Sequence, residues 1–352
     1  MNIISLQING KKIQAADGSS VLNAARQNGI YIPTLCYHPR TRQAGKCRMC
    51  VVEIKGLPGL QVSCSIQAQE GMSVLTNTER IIETRKMIIE LYLSNGRHNC
   101  MSCEATGACE LQDAAYHLGI EKSTFPVVEK GMPFDSSSPM IIRDMNKCIQ
   151  CYRCIAGCNS IVVNEVLDMG HRGSRMTVVC DTDKPMGRSS CVACGECVQL
   201  CPTGALTEKK AAGKGRAWET SRTKTTCPYC GVGCQMYLHV KDNEIIRVTG
   251  VEDAEPNNGS LCIKGRFGYD FVHSPERLKT PLIRKNGVLE EVSWDEALDY
   301  TAGRLMEIKQ QHGPDSIVGI GCARSTNESN YVMMKFMRAV IGTNNIDHCA
   351  RT

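Results

Sequence analysis

The order of the cysteines limits how this chain can fold more than any other feature. Cys148-x2-Cys151-x2-Cys154-x3-Cys158 is followed by Cys191-x2-Cys194-x2-Cys197-x3-Cys201-Pro202, the same spacing repeated further along. Three thiolates two residues apart can hold three corners of an iron–sulfur cubane, and in such a run the fourth cysteine reaches across to the other cluster. The spacing predicts one [4Fe–4S] site of Cys148, Cys151, Cys154 and Cys201, and a second of Cys191, Cys194, Cys197 and Cys158. A pair of zinc sites is the alternative, but four-cysteine zinc sites usually consist of two CxxC knuckles and do not need the third closely spaced cysteine. Asn159 stands where proline usually follows the fourth cysteine, a departure that alters no ligand.

Three more groups bring the total to nineteen of 22 cysteines: Cys36-x10-Cys47-x2-Cys50-x13-Cys64, then Cys100-x2-Cys103-x5-Cys109 with His98 ahead of it, and Cys227-x2-Cys230-x3-Cys234-x27-Cys262. Cys180, Cys322 and Cys349 have no partner at ligand spacing and read as buried or bystander thiols. A disulfide framework on this scale is out of keeping with a 352-residue chain, and the opening MNIISLQINGKK has neither an apolar signal core nor twin arginines. Metal ligands in a reducing cytoplasm are therefore expected. No run approaches the roughly 18–20 apolar residues that span a bilayer. The net charge of +5 comes from scattered Lys and Arg, and aromatics make up only 5%, so no nucleic-acid partner is expected.

The length leaves room for several compact units. ISLQI, an Asn9-Gly10 turn and KKIQA predict a hairpin, and a helix from about Ser20 can end at Gly29. Thr78 is a candidate N-cap for the amphipathic TERIIETRKMIIELYLSNG. Pro126 to Pro139, rich in Pro, Ser and Gly, reads as a linker, and the cysteine repeat lies within residues 140 to 208. Lys209 to Arg222 is polar and Gly/Ala-rich, which places a boundary there. Past Thr280 the texture is that of an α/β domain: Ser293 to Glu296 opens a helix, DSIVGIG is a short strand and ESNYVMMKFMRAVIG another helix.

Several stretches carry family resemblances. YIPTLCYHP and GKCRMCVVEI resemble the N-terminal [2Fe–2S] domain shared by the large iron–sulfur subunit of complex I, iron-only hydrogenases and NAD-linked formate dehydrogenases. That resemblance implies Cys36, Cys47, Cys50 and Cys64 as ligands of a [2Fe–2S] cluster. HNCMSCEATGACELQ resembles the His/Cys3 [4Fe–4S] site that follows in the same families. Cys100, Cys103 and Cys109 match, whereas the family histidine sits four residues before the first cysteine, a place Gly96 occupies here. His98 becomes the candidate fourth ligand by a change of loop path, and an imidazole raises a cluster's potential because it brings no negative charge. TTCPYCGVGC and LCIKGRFG resemble the [4Fe–4S] domain of molybdopterin-dependent oxidoreductases, most closely the formate dehydrogenase α subunit. Cys227, Cys230, Cys234 and Cys262 are the implied ligands, and Lys264 takes the place of the lysine that relays electrons between cluster and pterin. RLKTPLI, VSWDEAL and NNIDHCAR follow in family order. Gly319 and Gly321 are candidate backbone contacts on the pterin side, a weak signal without a third glycine.

Together these imply an α+β multidomain chain. Its parts are a β-grasp [2Fe–2S] ferredoxin-like domain (1–78), a His/Cys3 [4Fe–4S] domain (79–119) and a two-cluster ferredoxin domain (138–208). A molybdopterin-oxidoreductase [4Fe–4S] domain (223–280) and an incomplete α/β catalytic domain (281–352) complete it. The implied cofactors are one [2Fe–2S], four [4Fe–4S] and, in the full-length enzyme, molybdenum or tungsten on bis-molybdopterin guanine dinucleotide. The implied reaction is reversible oxidation of formate to carbon dioxide, with a flavin/NAD-binding subunit as partner and ferredoxin or hydrogenase subunits as further electron exchangers. In that family the metal-ligating cysteine or selenocysteine follows the segment matching NNIDHCART. The expectation is therefore an N-terminal portion of a selenoprotein, ending at Thr352 and inactive alone. A stand-alone electron-transfer subunit in a complex I-like or hydrogenase-like assembly is the other reading.

Overall fold

Asn9 and Gly10 both take positive φ, 50° and 78°, the conformation that lets a two-residue turn follow the twist of its strands. The turn joins β1 (Ile3–Ile8) to β2 (Lys11–Ala16) in register from Ile3↔Ala16 to Ile8↔Lys11, with Ile4, Leu6 and Ile8 pointing inward. The Ser20 hydroxyl accepts the Asn23 N–H and starts α1 (Val21–Gln27), which buries Val21, Leu22, Ala24 and Ala25. With β3 (Val51–Ile54), β4 (Gln61–Val62) and β5 (Ser73–Leu75) the sheet order is β2-β1-β5-β3-β4, β1 and β5 being parallel. This is a β-grasp domain. In a computed structural model, residues 2–41, 45–129 and 131–349 are described, and the chain divides into units Met1–Ser221 and Arg222–Thr352.

Thr78 caps α2 (Glu79–Ser94), which turns Ile81, Arg85 and Ile89 into the interior, and α3 (Glu110–His117) starts directly after Cys109. Seven short elements follow: β6 (Phe134–Asp135), β7 (Ile141–Asp144), α4 (Arg153–Ala156), β8 (Leu167–Gly170), β9 (Thr177–Cys180), α5 (Glu196–Leu200) and β10 (Leu206–Glu208). Strands β10, β7 and β6 form one sheet, and β8 pairs with β9. The stretch read as a linker is thus tied down. Asp135 in β6 holds the Arg143 guanidinium at 3.1 Å and accepts the Met186 N–H at 2.8 Å. Proline and serine signal irregular backbone, but they do not say whether its polar groups are anchored.

The second unit begins with β11 (Ser221–Thr226), β12 (Gln235–Lys241) and β13 (Glu244–Gly250) in one sheet, next to the short helix α6 (Ile263–Phe267). The hairpin of β14 (Leu282–Lys285) and β15 (Val288–Glu291) leads into α7 (Trp294–His312), capped by Ser293. Then β16 (Gly319–Gly321), α8 (Asn327–Lys335) and β17 (Ile346–His348) form a parallel β-α-β crossover. The predicted strand DSIVGIG shortens to three residues, because β17 offers only three partners. Helices α7 and α8 bury none of their residues. Among the described residues no helix is long and apolar enough to cross a membrane.

Candidate metal centres

The structure gathers the cysteines of the repeat around two cavities. One cavity is lined by Cys148, Cys151, Cys154 and Cys201, another by Cys191, Cys194, Cys197 and Cys158, so each takes its fourth sulfur from the other half. The backbone shows how two-residue spacing becomes a cup. Gln150 and Tyr152 in the first loop, and Ala193 and Gly195 in the second, all have φ between 50° and 77°. These left-handed kinks curl each loop so that the N–H of Gln150 points at Cys148 Sγ and that of Ala193 at Cys191 Sγ, both at 3.4 Å. Tyr152 adopts a conformation that costs a non-glycine residue about 1 kcal/mol or more, and the Lys46 ammonium sits 4.5 Å over its ring.

Burial pushes the thiols of Cys151, Cys154 and Cys197 well up from the ordinary range. Thiolates there need a compensating cation, and metal supplies it by displacing the proton. Among the described residues no three His, Cys, Asp or Glu side chains converge on one ion-sized point; the sulfurs instead ring cavities. Soft donors around an apolar space fit a polynuclear iron–sulfur group.

A third cavity is lined by His98, Cys100, Cys103 and Cys109. The structure therefore brings His98 to the three cysteines although it lies only two residues before Cys100. The half-buried ring places Nε2 2.9 Å from the Tyr92 carbonyl, which can only accept, so Nε2 carries the proton in that bond; backbone acceptors of this kind commonly orient histidines at metal sites. Gly204 packs so tightly that a Cβ would come within 2.6 Å of Cys103 Sγ. Arg216 closes the loop by donating to the carbonyls of Cys103 and Met101.

In the β-grasp domain the four cysteines are buried and form two pairs. Cys36 is pulled down to about 6 by the thiol of Cys47, and Cys50 to about 6 by that of Cys64, while Cys47 and Cys64 are pushed up in return. Two thiol pairs side by side fit a two-iron centre, one pair to each iron. The Leu35 N–H donates to Cys47 Sγ and the Cys47 N–H to Cys36 Sγ, both at 3.4 Å. Arg85 fixes the loop between the pairs: its guanidinium donates to the carbonyls of Met49, Thr76 and Val51, each at 2.9 Å.

These sites adjoin one another. Cys36, Cys47 and Cys151 belong to one hydrophobic core with Ile89, Leu111 and Ile149. Thr203 lines both the Cys148 cavity and the His98 cavity, and the Cys197 thiol bears electrostatically on Cys154. Buried Arg153 joins α4 to Glu110 of α3 through two charge-assisted bonds, at 2.5 and 2.7 Å. The Cys148 cavity therefore stands between the other three.

In the second unit Cys227 follows β11, Cys234 precedes β12 and Cys262 caps α6, with the Cys227 N–H bonded to the Cys234 carbonyl at 2.8 Å. Cys227 is buried, Cys234 half-buried, and Cys230 and Cys262 are exposed. Each of Cys230 and Cys262 bears electrostatically on Cys227 and Cys234. Lys264 is exposed on the first turn of α6. Gly319 has a packing reason for being glycine, since a Cβ would meet Met337 Cγ at 2.7 Å; Gly321 ends β16. Cys180 is buried in β9. Cys322 and Cys349, read as bystanders, come together with their sulfurs 3.5 Å apart. The place expected for a molybdenum ligand, past Thr352, lies outside the described residues.

Comparison with known families accounts for the same segments. Residues 2–79 match the 2Fe-2S iron-sulfur cluster binding domain, 85–124 the NADH-ubiquinone oxidoreductase-G iron-sulfur binding region, and 138–207 the ferredoxin-like domain of NADH-quinone oxidoreductase subunit 3. Residues 220–274 match the molybdopterin oxidoreductase Fe4S4 domain and 277–352 the molybdopterin oxidoreductase domain. Fold and sites thus define an iron–sulfur oxidoreductase module. The NADPH-Fe(3+) oxidoreductase subunit alpha of Geobacter sulfurreducens is 37% identical over 349 residues, and a G-type NADH-quinone oxidoreductase subunit of Rhizobium meliloti 38% over 353; each alignment takes in 99% of this chain and 40% of the relative. YrhE of Bacillus subtilis, proposed to be a formate dehydrogenase, is 36% identical over 390 residues, again 99% of this chain and 40% of the relative. A chain in the crystal structure of an NAD+-reducing [NiFe]-hydrogenase in the H2-reduced state is 32% identical with a TM-score of 0.57, covering 60% of this chain and 90% of that one. The chain carries NADH-quinone oxidoreductase G-type iron–sulfur domains together with molybdopterin oxidoreductase domains, and it spans about 40% of the length of these curated relatives.

Proposed function

We propose that this chain is the electron-transfer arm of a cytoplasmic, NAD-linked formate dehydrogenase. The observation that carries the cluster part is the exchange of Cys158 and Cys201 between the two cavities, which serves a pair of cubanes and is superfluous for two separate zinc sites. The assignment is a [2Fe–2S] cluster on Cys36, Cys47, Cys50 and Cys64 and four [4Fe–4S] clusters. Their ligands are His98/Cys100/Cys103/Cys109, Cys148/Cys151/Cys154/Cys201, Cys191/Cys194/Cys197/Cys158 and Cys227/Cys230/Cys234/Cys262. When bound, these groups supply one-electron redox centres, and a molybdenum or tungsten bis-pterin in the remainder of the enzyme supplies the oxidation of formate. The residues do the positioning. The core shared by Cys36 and Cys151, and Thr203 between two cavities, make the Cys148 site a junction linking the [2Fe–2S] site, the His98 site and the Cys191 site. Lys264, two residues after Cys262, is the candidate link from the second unit to the pterin, with Gly319 and Gly321 as candidate backbone contacts near it. The five domain ranges given above are proposed with this assignment. The N-terminal modules support a flavin/NAD-binding partner subunit, with ferredoxin or hydrogenase subunits as alternative exchangers.

The formate reading rests on the TTCPYCGVGC and LCIKGRFG segments and on the resemblance to YrhE. The chain reconstituted anaerobically should carry about eighteen irons and show EPR signals on reduction; a colourless zinc protein would overturn the cluster assignment. The full-length enzyme with its flavin partner should reduce NAD+ with formate. Ferric or quinone reduction from a nicotinamide donor, with no formate activity, would keep the electron-transfer role and remove the substrate, in line with the other relatives.

A further inference from the structure

Cys322 and Cys349 each stand one residue past the last register pair of a parallel ladder, Gly321↔His348. Neighbouring strands run about 4.8 Å apart, inside the Cα separation a disulfide can bridge. Their sulfurs are already 3.5 Å apart. The turn after β16 furnishes donors: the Arg324 N–H meets Cys322 Sγ at 3.4 Å, the Ala323 N–H bonds Cys349, and the Arg324 charge acts on the same sulfur. Asn330 of α8 holds that turn by donating to the Cys322 carbonyl at 3.1 Å, and Ser325 N–H closes it onto the same carbonyl at 3.0 Å. Backbone bonds first, then the Cys322 thiol, pull the Cys349 thiol down from its ordinary range. Cys349 is exposed and Cys322 partly so. Neither belongs to any of the five cluster groups, and the two lie at the carboxyl end of parallel strands, where α/β sheets present reactive groups.

We propose that Cys322 and Cys349 form a redox-active dithiol that closes to an intramolecular disulfide by exchange with a small-molecule disulfide of the glutathione class. The Cys349 thiolate attacks one sulfur of that disulfide and releases a thiolate. Cys322, giving up its proton, then attacks the Cys349 sulfur of the mixed disulfide and releases the second thiolate. The pair loses two electrons and two protons, and the small disulfide becomes two thiols. The bond links β16 to β17 across α8, between cysteines 27 positions apart in the chain.

The test uses the 352-residue chain with its clusters, equilibrated anaerobically in buffers of increasing oxidised-to-reduced glutathione ratio. After blocking with N-ethylmaleimide and trypsin digestion, the peptides carrying Cys322 (residues 310–324) and Cys349 (residues 339–351) are followed by mass spectrometry. The expected result is one linked peptide pair that replaces both alkylated peptides in a single two-electron transition, with unchanged cluster absorbance. In Cys322→Ser the Cys349 peptide should carry glutathione instead, at least tenfold more than in the parent. Two peptides that stay singly alkylated across the series, or that link only to cluster cysteines, would overturn the proposal. Because the parent chain alone yields these readouts, a variant that fails to fold does not shield it.

Discussion

The two units hold their cysteines under different protection. In the first, Cys151, Cys154 and Cys197 are buried in cavities whose walls come from that unit's own helices and strands; in the second, Cys230 and Cys262 face solvent. Both units carry cysteines at ligand spacing, and spacing marks which residues can gather around a centre without fixing what shields it. The shield is long-range. Arg85, Arg153 and the Arg40–Glu196 pair, 2.8 Å apart with the Glu196 side chain only 1% exposed, all lie in the first unit.

The sharpest test exchanges one sulfur in each unit. Cys154→Ser should remove about four irons and also lower the urea midpoint of the whole first unit, read by cluster absorbance. Cys262→Ser should remove as many irons and leave that midpoint unmoved. Equal losses of stability would break the comparison. Next comes Arg85→Leu, which strands three buried carbonyls and should cost about 3–5 kcal/mol in the same urea titration, with Arg85→Lys recovering part of it because one ammonium cannot span all three acceptors.

A smaller effect belongs to Glu110→Gln. Arg153 is 2% exposed in its side chain and Glu110 45%, so the pair is only half shielded, and its loss should cost about 2 kcal/mol rather than the full penalty of an enclosed pair. The smallest effect tests the second unit. Burial lowers the His239 imidazole to about 3, while Nε2 contacts the Thr249 hydroxyl at 2.9 Å. Since the folded state keeps this ring neutral and the unfolded chain protonates it near pH 6.5, stability is complete above that value and falls as pH drops. Between pH 7 and 5.5 the loss should be about 1 kcal/mol, visible as a lower melting temperature. His239→Gln should flatten the slope; an unchanged slope would assign the acid sensitivity to other groups.

What could be read from the sequence follows the same division. The crossed cavities were legible because a chain that places three cysteines two apart has few ways to turn, and the left-handed kinks at Gln150, Tyr152, Ala193 and Gly195 are its solution. The β-grasp start was legible from alternation and the Asn9-Gly10 turn. Arg85, Arg153 and Glu110 left no local sign: their partners lie up to 43 residues away, and a guanidinium on an amphipathic helix looks like surface until its acceptors are known. The segment from Pro126 to Pro139 reads as a linker for a related reason, since Asp135 meets Arg143 only after the strands pair. Cys322 and Cys349 were separated in the same way, because their encounter depends on the register of β16 with β17, and register cannot be counted from spacing.

The exchange of Cys158 and Cys201 also bears on how the molecule is made. While the chain emerges from the ribosome, the cup of Cys148, Cys151 and Cys154 stays one sulfur short until residue 201 has been synthesised. Cys158 meanwhile waits for a cup that begins at Cys191. Neither cup has its four sulfurs before this segment has been translated, so a group held by either one would have to enter after that point.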